Sequence, residues 1–354
     1  MNDYLRSRQP FFGKWFVGSK IGQGTYGKIY TIYHMENGVR LDAAMKVITV
    51  PHNEASIDEL RAQGFTDQEI ADYYERQILS VIGEIQIMNR FRGHDHIVCY
   101  EDHVVLRHPT KLRWDICIRM EKLERLEEYL KRTRANRWQV VQLWYDIAAA
   151  LVDCHRANVL HRDIKPDNIL VSKEGYFKLV DFGISRYLES DLASTLAGTY
   201  PYMAPEVADR KTYDHRADIY SLGVVVYQLL NANRYPFLPP YPKQFSADDR
   251  DRAINQRFSG KKIQPIHGVS GSIMRVLLKT LAFDPNDRYP NAEALLKDIE
   301  KIHVSHEEAA IPLFDEKGNP NLPTKRAPGK KTLIALAAVM LVYVAAMLLY
   351  FVLK

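Results

Sequence analysis

The residues best suited to chemistry lie in two short segments near the middle of the chain. The segment His161–Asn168 reads HRDIKPDN, and Asp181-Phe182-Gly183 follows it after a short stretch that is mostly apolar. Carboxylate and amide oxygens are the ligands that Mg²⁺ prefers, and a nearby lysine can neutralise the charge of a transferring group. Because phosphoryl transfer needs mainly positioning and charge stabilisation, these segments could move a phosphoryl group from a metal-bound nucleotide to a hydroxyl.

A glycine-rich segment near the N-terminus could hold the phosphates of such a nucleotide. It runs from Ile21 to Ile29 as IGQGTYGKI, and glycines let backbone N–H groups come close to phosphate oxygens. Alone, the G-x-G-x-x-G spacing is weak evidence, because it also occurs in dinucleotide-binding folds, where a helix follows it. Here β-branched and aromatic residues follow from Lys28 to Tyr33, which predicts a strand and favours a loop between two strands.

Two further segments contain charged residues next to apolar ones. Lys46 stands in the apolar predicted strand Ala43–Ile48, where a lysine is costly to bury unless it is paired. A later run has apolar residues at helical spacing, and Glu84 lies beside this apolar stripe rather than opposite it. The residues of the stripe are Ile70, Tyr74, Ile78, Ile82, Ile85 and Met88.

Together these segments resemble the eukaryotic-like (Hanks-type) serine/threonine protein kinases. The overall resemblance, with the segment Pro236–Pro240 and the order of kinase domain, tether and apolar run described below, is to their bacterial, membrane-anchored type. The resemblance covers about residues 15 to 301. It implies an α+β, two-lobed protein kinase fold, with a β-rich N-terminal lobe and a helical C-terminal lobe. It also implies ATP and Mg²⁺ (or Mn²⁺) as cofactors, and Ser/Thr hydroxyls of protein substrates as acceptors.

The resemblance assigns the catalytic floor to four residues. Asp163 orients the attacking hydroxyl and accepts its proton, and Lys165 neutralises charge on the transferring phosphoryl group. Asn168 and Asp181 hold the metal. A lysine two residues after the catalytic aspartate is the serine/threonine-kinase version of this loop.

The resemblance also assigns the nucleotide site. Lys46 holds the α- and β-phosphates and pairs with Glu84, with Glu75 as the alternative partner. Ala44 packs on the adenine, and backbone groups of Glu121 and Leu123 bond to it. The implied nucleotide-binding residues are Ile21, Gly22, Gly24, Gly27, Ile29, Ala44, Lys46, Glu121 and Leu123.

The segment between Asp181 and Glu206 resembles an activation segment. Ser194 and Thr195 are the phosphosite candidates, and Arg162 is the arginine that would bond a phosphorylated residue there. Two structural supports match as well. Asp218 resembles the aspartate that holds the catalytic-loop backbone, and Arg288 resembles the arginine that pairs with Glu206.

The stretch between Lys46 and Glu84 is about twice the usual length for this family. Capping boxes are predicted at Ser56-x-x-Glu59 and Thr66-x-x-Glu69, with Gly64 as a helix stop between them. We therefore expect a short extra helix and an N-terminally extended helix. A surface insertion and a regulatory docking element remain equal alternatives for its role.

The last part of the chain is strongly apolar. Residues 332–353 contain no charged residue, proline or glycine, and about 22 helical residues would cross the hydrocarbon core of a bilayer. Lys325, Arg326, Lys330 and Lys331 precede this run, which places the kinase on the cytoplasmic side of a single-pass span, in a bacterial cell membrane by resemblance. With only Lys354 after it, the run is expected to be a tail anchor.

The predicted organisation therefore has four parts. An N-terminal extension at 1–14 precedes a protein kinase domain at 15–301, a mobile juxtamembrane tether at 302–331 and a transmembrane helix at 332–353. The net charge of the chain is +5, and the tether contains four basic residues. This modest net charge does not predict nucleic acid as a partner. The three cysteines have neither zinc-site nor disulfide-framework spacing.

Two other functions are weighed against the kinase. A membrane-bound pseudokinase scaffold would bind nucleotide without transferring phosphate, but it usually lacks one of Lys46, Asp163, Asn168 or Asp181, all present here. A small-molecule kinase typically lacks the segment from Gly198 to Glu206. A homodimer, cytosolic partners or the inserted segment could supply the regulatory input.

Overall fold

The computed structural model describes residues 3–24, 27–181, 200–209, 211–302, 304, 312–315 and 320. As the resemblance implies, a sheet-rich N-terminal lobe is followed by a helical C-terminal lobe. The N-terminal lobe contains α1 (Asp3–Arg6), β1 (Phe16–Gly24), β2 (Gly27–Glu36), β3 (Val39–Val50), α2 (Ala55–Ala62), α3 (Asp67–Arg90), β4 (Tyr100–Arg107) and β5 (Trp114–Met120). The C-terminal lobe contains β6 (Glu124–Arg125), α4 (Leu126–Arg132), α5 (Arg137–Arg156), a 3₁₀ turn (Pro166–Asn168), β7 (Ile169–Val171), β8 (Phe177–Leu179), α6 (Pro205–Ala208), α7 (Arg216–Leu230), α8 (Ala247–Phe258), α9 (Gly271–Thr280), a second 3₁₀ turn (Pro285–Asp287) and α10 (Ala292–Ile299).

The five strands of the N-terminal lobe form one antiparallel sheet in the order β1-β2-β3-β5-β4. The strands β1 and β2 pair up to the glycine-rich loop, with Gly22 opposite Ile29 and Gly24 opposite Gly27. A strand therefore follows the loop, as its β-branched residues predict. Since β3 is paired along both edges, it places Lys46 in the middle of the sheet.

The N-terminal segment covers one face of this sheet. Leu5, Phe11 and Trp15 are buried against a cluster that includes Ile32 and Met45. These apolar contacts remove both partners from water and stabilise the sheet. The segment, which the sequence indicated only as an extension, is thus part of the packing of the N-terminal lobe.

The long connection between β3 and β4 contains the two expected helices. Thr66 and Glu69 form the predicted capping box of α3, and Gly64 ends the preceding turn with a φ of +95°. The capping box at Ser56 is wrong, because Glu54 is the N-cap residue of α2 and Ser56 lies inside the helix. The exposed N–H of Ala55 is bonded instead by the side chain of Asn53 at 3.0 Å.

The C-terminal lobe is built around α5 and α7. Both helices have buried residues on most of their faces, among them Trp144 and Tyr220, and such helices belong in the centre of a core. The small sheet β6-β7-β8 lies beside them. The loop from α5 to β7 carries the HRDIKPDN segment, so two rigid elements fix both of its ends.

The structure describes only part of the stretch 302–331, whose assignment as a tether stays a prediction. Ile302, Val304, Leu313 and Phe314 are partly buried and pack against the core of the C-terminal lobe. The apolar side chains of these four residues contact apolar surface of the lobe. The sequence does not indicate this packing, because proline, glycine and charged residues surround them in the chain. Among the described residues, no helix has both the length and the apolar character that a bilayer crossing requires, and the predicted span at 332–353 lies outside them.

Candidate active site

The predicted catalytic residues Asp163, Lys165 and Asn168 come together in the loop between α5 and β7. Lys165 Nζ lies 2.8 Å from Asp163 Oδ2. The Asn168 Nδ2 group donates to the same oxygen at 2.8 Å and to the Asp163 carbonyl at 2.7 Å. Two donors, one of them charged, therefore fix the orientation of the Asp163 carboxylate.

The backbone of this loop is held by Asp218 of α7, a buried carboxylate. It accepts the N–H of His161 at 2.9 Å and the N–H of Arg162 at 2.8 Å, and His155 Nε2 lies 3.1 Å away. Burial alone would raise the pKa of Asp218, but these hydrogen bonds and the two histidines hold it below its ordinary value. Arg162 has a φ of +68°, a costly conformation for a residue with a side chain, and its bond to Asp218 stabilises that turn.

Lys46 and Asp181 meet in the cleft between the lobes. Lys46 Nζ donates to Asp181 Oδ1 at 2.6 Å, with 6% of the lysine side chain and 37% of the aspartate side chain exposed. Desolvation would raise the pKa of Asp181, but the charge and hydrogen bond of Lys46 hold it below its ordinary value. The buried lysine is thus paired, as its position in an apolar strand requires, but with the aspartate and not with Glu84.

Glu84 is the site residue that departs from expectation. Its Oε2 atom is buried without a hydrogen-bond partner. Desolvation raises the pKa of Glu84 to about 7, although the positive charges of Lys46 and Arg162 act against the rise. The alternative, Glu75, is half exposed and lies 3.8 Å from Arg107 at the far edge of the lobe. Glu84 is therefore the glutamate near Lys46, and the ion pair between them is not formed in this conformation.

Two oxygen atoms in the floor of the site accept no hydrogen bond from the described residues and could serve as ligands of a hard cation such as Mg²⁺. Asp181 Oδ2 and Asn168 Oδ1 take no hydrogen bond from any residue that the structure describes. The two residues are also tied together, because the N–H of Val180 donates to the carbonyl of Asn168 at 3.0 Å. Asn168 directly precedes β7 and Asp181 follows β8, and two oxygen ligands so placed fit a Mg²⁺ ion that would take its remaining ligands from phosphates and water.

Gly27, at the end of the glycine-rich loop, lies beside the strand that carries Lys46. A Cβ atom on Gly27 would stand 2.5 Å from the carbonyl oxygen of Val47. Any side chain at this position would therefore push β2 away from β3, so the glycine is required by a close backbone approach. The other residues predicted to lie near the phosphates are at the ends of β1 and β2 that flank the loop. They are Ile21, Gly22, Gly24 and Ile29.

The predicted adenine-side residues lie where β5 passes into β6. Ala44 is buried and pairs with Met120 across the sheet. Among the described residues, the carbonyl of Glu121 and the N–H of Leu123 make no hydrogen bond. One acceptor and one donor two residues apart are thus available to the edge of a planar base.

One contact in this region was missed by the sequence reasoning. The side chain of Glu121 accepts the Lys178 Nζ group of β8 at 2.9 Å and the N–H of Cys99 at 2.6 Å. It therefore ties the connection between the lobes to both of them. Neither lysine nor cysteine has a sequence spacing from Glu121 that could have indicated this contact, because all three come together only in the folded chain.

The second structural support is also present. Arg288 makes two parallel hydrogen bonds to the carboxylate of Glu206, at 2.7 and 2.8 Å, and both side chains are buried. It donates further to the carbonyls of Ala282, Phe283 and Arg216. A buried guanidinium with this many acceptors fixes the end of the activation segment to α7 and to the turn before α10.

The phosphosite candidates Ser194 and Thr195 lie outside the described residues, as do Phe182 and Gly183. Arg162, the residue expected to bond a phosphorylated side chain, has its guanidinium 6.0 Å from the ring centre of Tyr213.

Comparison with known proteins agrees with this geometry. The protein kinase domain family matches residues 15–298. Calcium-dependent protein kinase 2 of Arabidopsis thaliana is 30% identical over 294 residues, which are 80% of this chain and 40% of that protein. A probable serine/threonine-protein kinase of Clostridium perfringens is 31% identical over 184 residues, 50% of this chain and 26% of that protein. The tyrosine-protein kinase MasK of Myxococcus xanthus is 36% identical over 156 residues, 42% of this chain and 23% of that protein.

The chain spans less than half of the length of each of these three relatives. The match to the domain family covers both lobes, from the strand before the glycine-rich loop to α10. It includes every residue of the site described above. The chain therefore belongs to the protein kinase family.

Proposed function

We propose that this protein is a serine/threonine protein kinase that transfers the γ-phosphoryl group of ATP to hydroxyl groups of proteins, from a position anchored in a membrane. One observation supports the activity most strongly. Asp163, Lys165 and Asn168 share one hydrogen-bonded group, and the Lys46–Asp181 pair lies on the other side of the same cleft.

Each residue has a role that its surroundings support. The Asp163 carboxylate orients a hydroxyl and accepts its proton, while Lys165 beside it supplies positive charge for the phosphoryl oxygens. Asn168 and Asp181 would hold Mg²⁺, which neutralises the phosphate charge when it is bound. Lys46, once released from Asp181 or shared with it, is placed to bond the phosphates from the roof of the cleft.

The acceptor is proposed to be serine or threonine because Lys165 follows Asp163 by two residues, as in the kinases that this loop resembles. One relative is named a tyrosine-protein kinase, so the acceptor should be tested directly. Acid hydrolysis of the labelled product should yield phosphoserine or phosphothreonine, and phosphotyrosine alone would overturn this part of the proposal.

The activity is tested with the full-length protein in detergent micelles, labelled ATP and a generic basic protein, in the presence of Mg²⁺ or Mn²⁺. The matched control is Asp163→Asn, which keeps the size of the side chain. Transfer of label by the wild type and not by the variant supports the kinase. If the wild type binds nucleotide but transfers no label with either metal, the pseudokinase scaffold is the better description.

The membrane anchor rests on the apolar residues 332–353 and on the four basic residues before them. In cells, the full-length protein should stay with the membrane fraction after washing at alkaline pH. A chain that ends at residue 331 should be released by the same treatment. Equal release of both chains would contradict the anchor without affecting the proposed activity.

Autophosphorylation is proposed at Ser194 or Thr195. The motivating observation is Arg162, which directly precedes the catalytic Asp163 in the chain. Its guanidinium can donate two parallel hydrogen bonds to a phosphate group. Phosphopeptide mapping of active protein should find a modified residue between Asp181 and Ala204, and the double variant Ser194→Ala/Thr195→Ala should lose it. Active protein that is unmodified in this stretch would remove the claim.

A further inference from the structure

The segment after the kinase domain docks on the turn between α4 and α5. The N–H of Leu313 donates to the carbonyl of Ala135 at 2.6 Å, and Pro312 forms an isolated antiparallel bridge with Asn136. Leu313 and Phe314 are partly buried against the core of the C-terminal lobe. This combination of a main-chain bond and two apolar side chains is the way an extended peptide binds to the edge of a folded domain. We call the described residues 312–315, with Pro320, the tail dock.

The turn that receives the tail dock is built to accept it. Ala135 is buried, and its N–H already donates to the carbonyl of Leu130 at 2.9 Å. The side chain of Asn136 caps α5 by accepting the N–H groups of Trp138 and Gln139. The carbonyl of Ala135 is thus the acceptor that this turn offers to the tail.

A second contact lies at Pro320. Phe314 forms a second isolated bridge, with Pro320, which is the last residue of the tail that the structure describes. Between this point and the predicted span at Thr332 lie 11 residues, 321–331, which reach at most about 40 Å even when fully extended. Without the tail dock, all 30 residues from 302 to 331 would be available, with a reach of roughly 105 Å.

We propose that the tail dock holds the α4–α5 side of the C-terminal lobe close to the bilayer, and so limits phosphorylation to protein hydroxyls near the membrane surface. This inference rests on the membrane anchor proposed above. While the tail dock holds, the extended length of residues 321–331 sets the greatest distance between Pro320 and the bilayer.

The test uses the full-length protein in vesicles of phosphatidylcholine and phosphatidylglycerol. A dye is placed on α4 by Glu128→Cys, an exposed position, in a Cys99→Ser background in which Cys117 and Cys154 are buried. Energy transfer to an acceptor-labelled lipid then measures the distance of the α4–α5 side from the bilayer.

The variant Leu313→Asp/Phe314→Asp should lower this energy transfer at least twofold, because charged side chains cannot remain on the apolar surface. The control Leu79→Asp, at an exposed leucine of α3, should leave it unchanged. A second variant, with 20 glycine and serine residues inserted after Pro328, should lower the transfer while the tail dock stays intact. Equal transfer in all four proteins would overturn the proposal.

Two further measurements separate this inference from the proposals on which it rests. If the wild type does not sediment with the vesicles, the anchor has failed, and the positioning of the kinase at the membrane fails with it. The tail dock itself is then decided by hydrogen exchange. Amide exchange of residues 313–315 at least tenfold slower in the wild type than in the double variant supports it, and equal rates overturn it.

Discussion

The catalytic loop and the region around Glu84 differ in how completely their polar groups are satisfied. In the loop, the Asp163 carboxylate has two donors, and Asp218 has three partners for its two oxygens. Across the cleft, Glu84 has a buried oxygen without a partner, and Lys46 is bonded to Asp181. One half of the site is thus assembled by the fold itself, whereas the other half has two alternative partners for one lysine.

This difference predicts that any control of activity acts at Glu84 and α3 rather than at the catalytic loop. A loop whose backbone and catalytic carboxylate are held by these hydrogen bonds has little to gain from moving. A buried carboxylate with an unpaired oxygen is costly, so α3 is stabilised by any movement that brings Glu84 to Lys46. We therefore expect changes in the loop to abolish catalysis in every state, and changes at Glu84 to shift the balance between states.

The largest effect is expected from Asp163→Asn, which tests the assembled half. It removes the base while keeping the hydrogen-bonding shape, so the rate should fall roughly 10²- to 10⁴-fold. Nucleotide binding and the melting temperature should remain near those of the wild type. The matched control is Asp167→Asn, an exposed carboxylate of the same loop, which should keep most of the activity. Similar losses in both variants would mean that the loop tolerates no change and that Asp163 has no special role.

Arg288→Ala should produce the largest loss of stability. It leaves the buried carboxylate of Glu206 without its bidentate partner, and breaking such a pair costs about 3–5 kcal/mol. Urea unfolding measures the loss. The control Lys211→Ala removes an exposed ion pair with Asp209, and exposed pairs of this kind contribute little, so its urea midpoint should stay near that of the wild type. A small loss for Arg288→Ala would show that the end of the activation segment is held by other contacts.

Glu84→Gln tests the unassembled half through its pH dependence. Because the pKa of Glu84 is raised to about 7 in the fold, the folded protein binds a proton that the unfolded chain has lost. This stabilisation is complete below the ordinary glutamate pKa and is lost as the pH rises through about 7. The wild type should therefore be less stable relative to Glu84→Gln at pH 8 than at pH 5, by urea unfolding.

The same variant should also lower the kinase activity about tenfold, because a neutral side chain gives up the charge-assisted bond to Lys46. Glu75→Gln is the control, since it changes a half-exposed glutamate of the same helix and should show neither effect. A stability difference that is equal at both pH values would contradict the buried, proton-binding state of Glu84.

The smallest effect is expected from Thr66→Ala, at the start of the helix that carries Glu84. Loss of the capping bond should cost about 1 kcal/mol, visible as a lower urea midpoint. Thr66→Ser keeps the hydroxyl and should behave like the wild type. An unchanged midpoint in both variants would indicate that packing alone fixes the start of α3.

The sequence predicted the parts of the site that depend on local order. The loop residues Asp163, Lys165 and Asn168 stand within six positions of each other, so their meeting needs only a short turn. The strand after the glycines and the cap at Thr66 likewise follow from neighbouring residues. The pairing of Arg288 with Glu206 was reached through family resemblance, because no local pattern connects residues so far apart.

The remaining features depend on contacts between distant segments. Whether Lys46 bonds Glu84 or Asp181 is a matter of where α3 lies, which the order of residues does not specify. The tail dock was hidden because proline, glycine and charge surround its two apolar side chains. The capping box predicted at Ser56 is wrong, since the helix begins earlier, at Ala55, and the side chain of Asn53 accepts the N–H of that residue.

The packing of Leu5 and Phe11 on the sheet has a practical consequence for the production of shortened forms of this protein. A fragment that begins at residue 15, the start of the matched domain, would expose to water an apolar surface of the sheet that includes Ile32 and Met45. Such a surface invites self-association during expression. Recombinant versions should keep the first fourteen residues, and poor yield of trimmed protein should not be taken as a sign of an inactive enzyme.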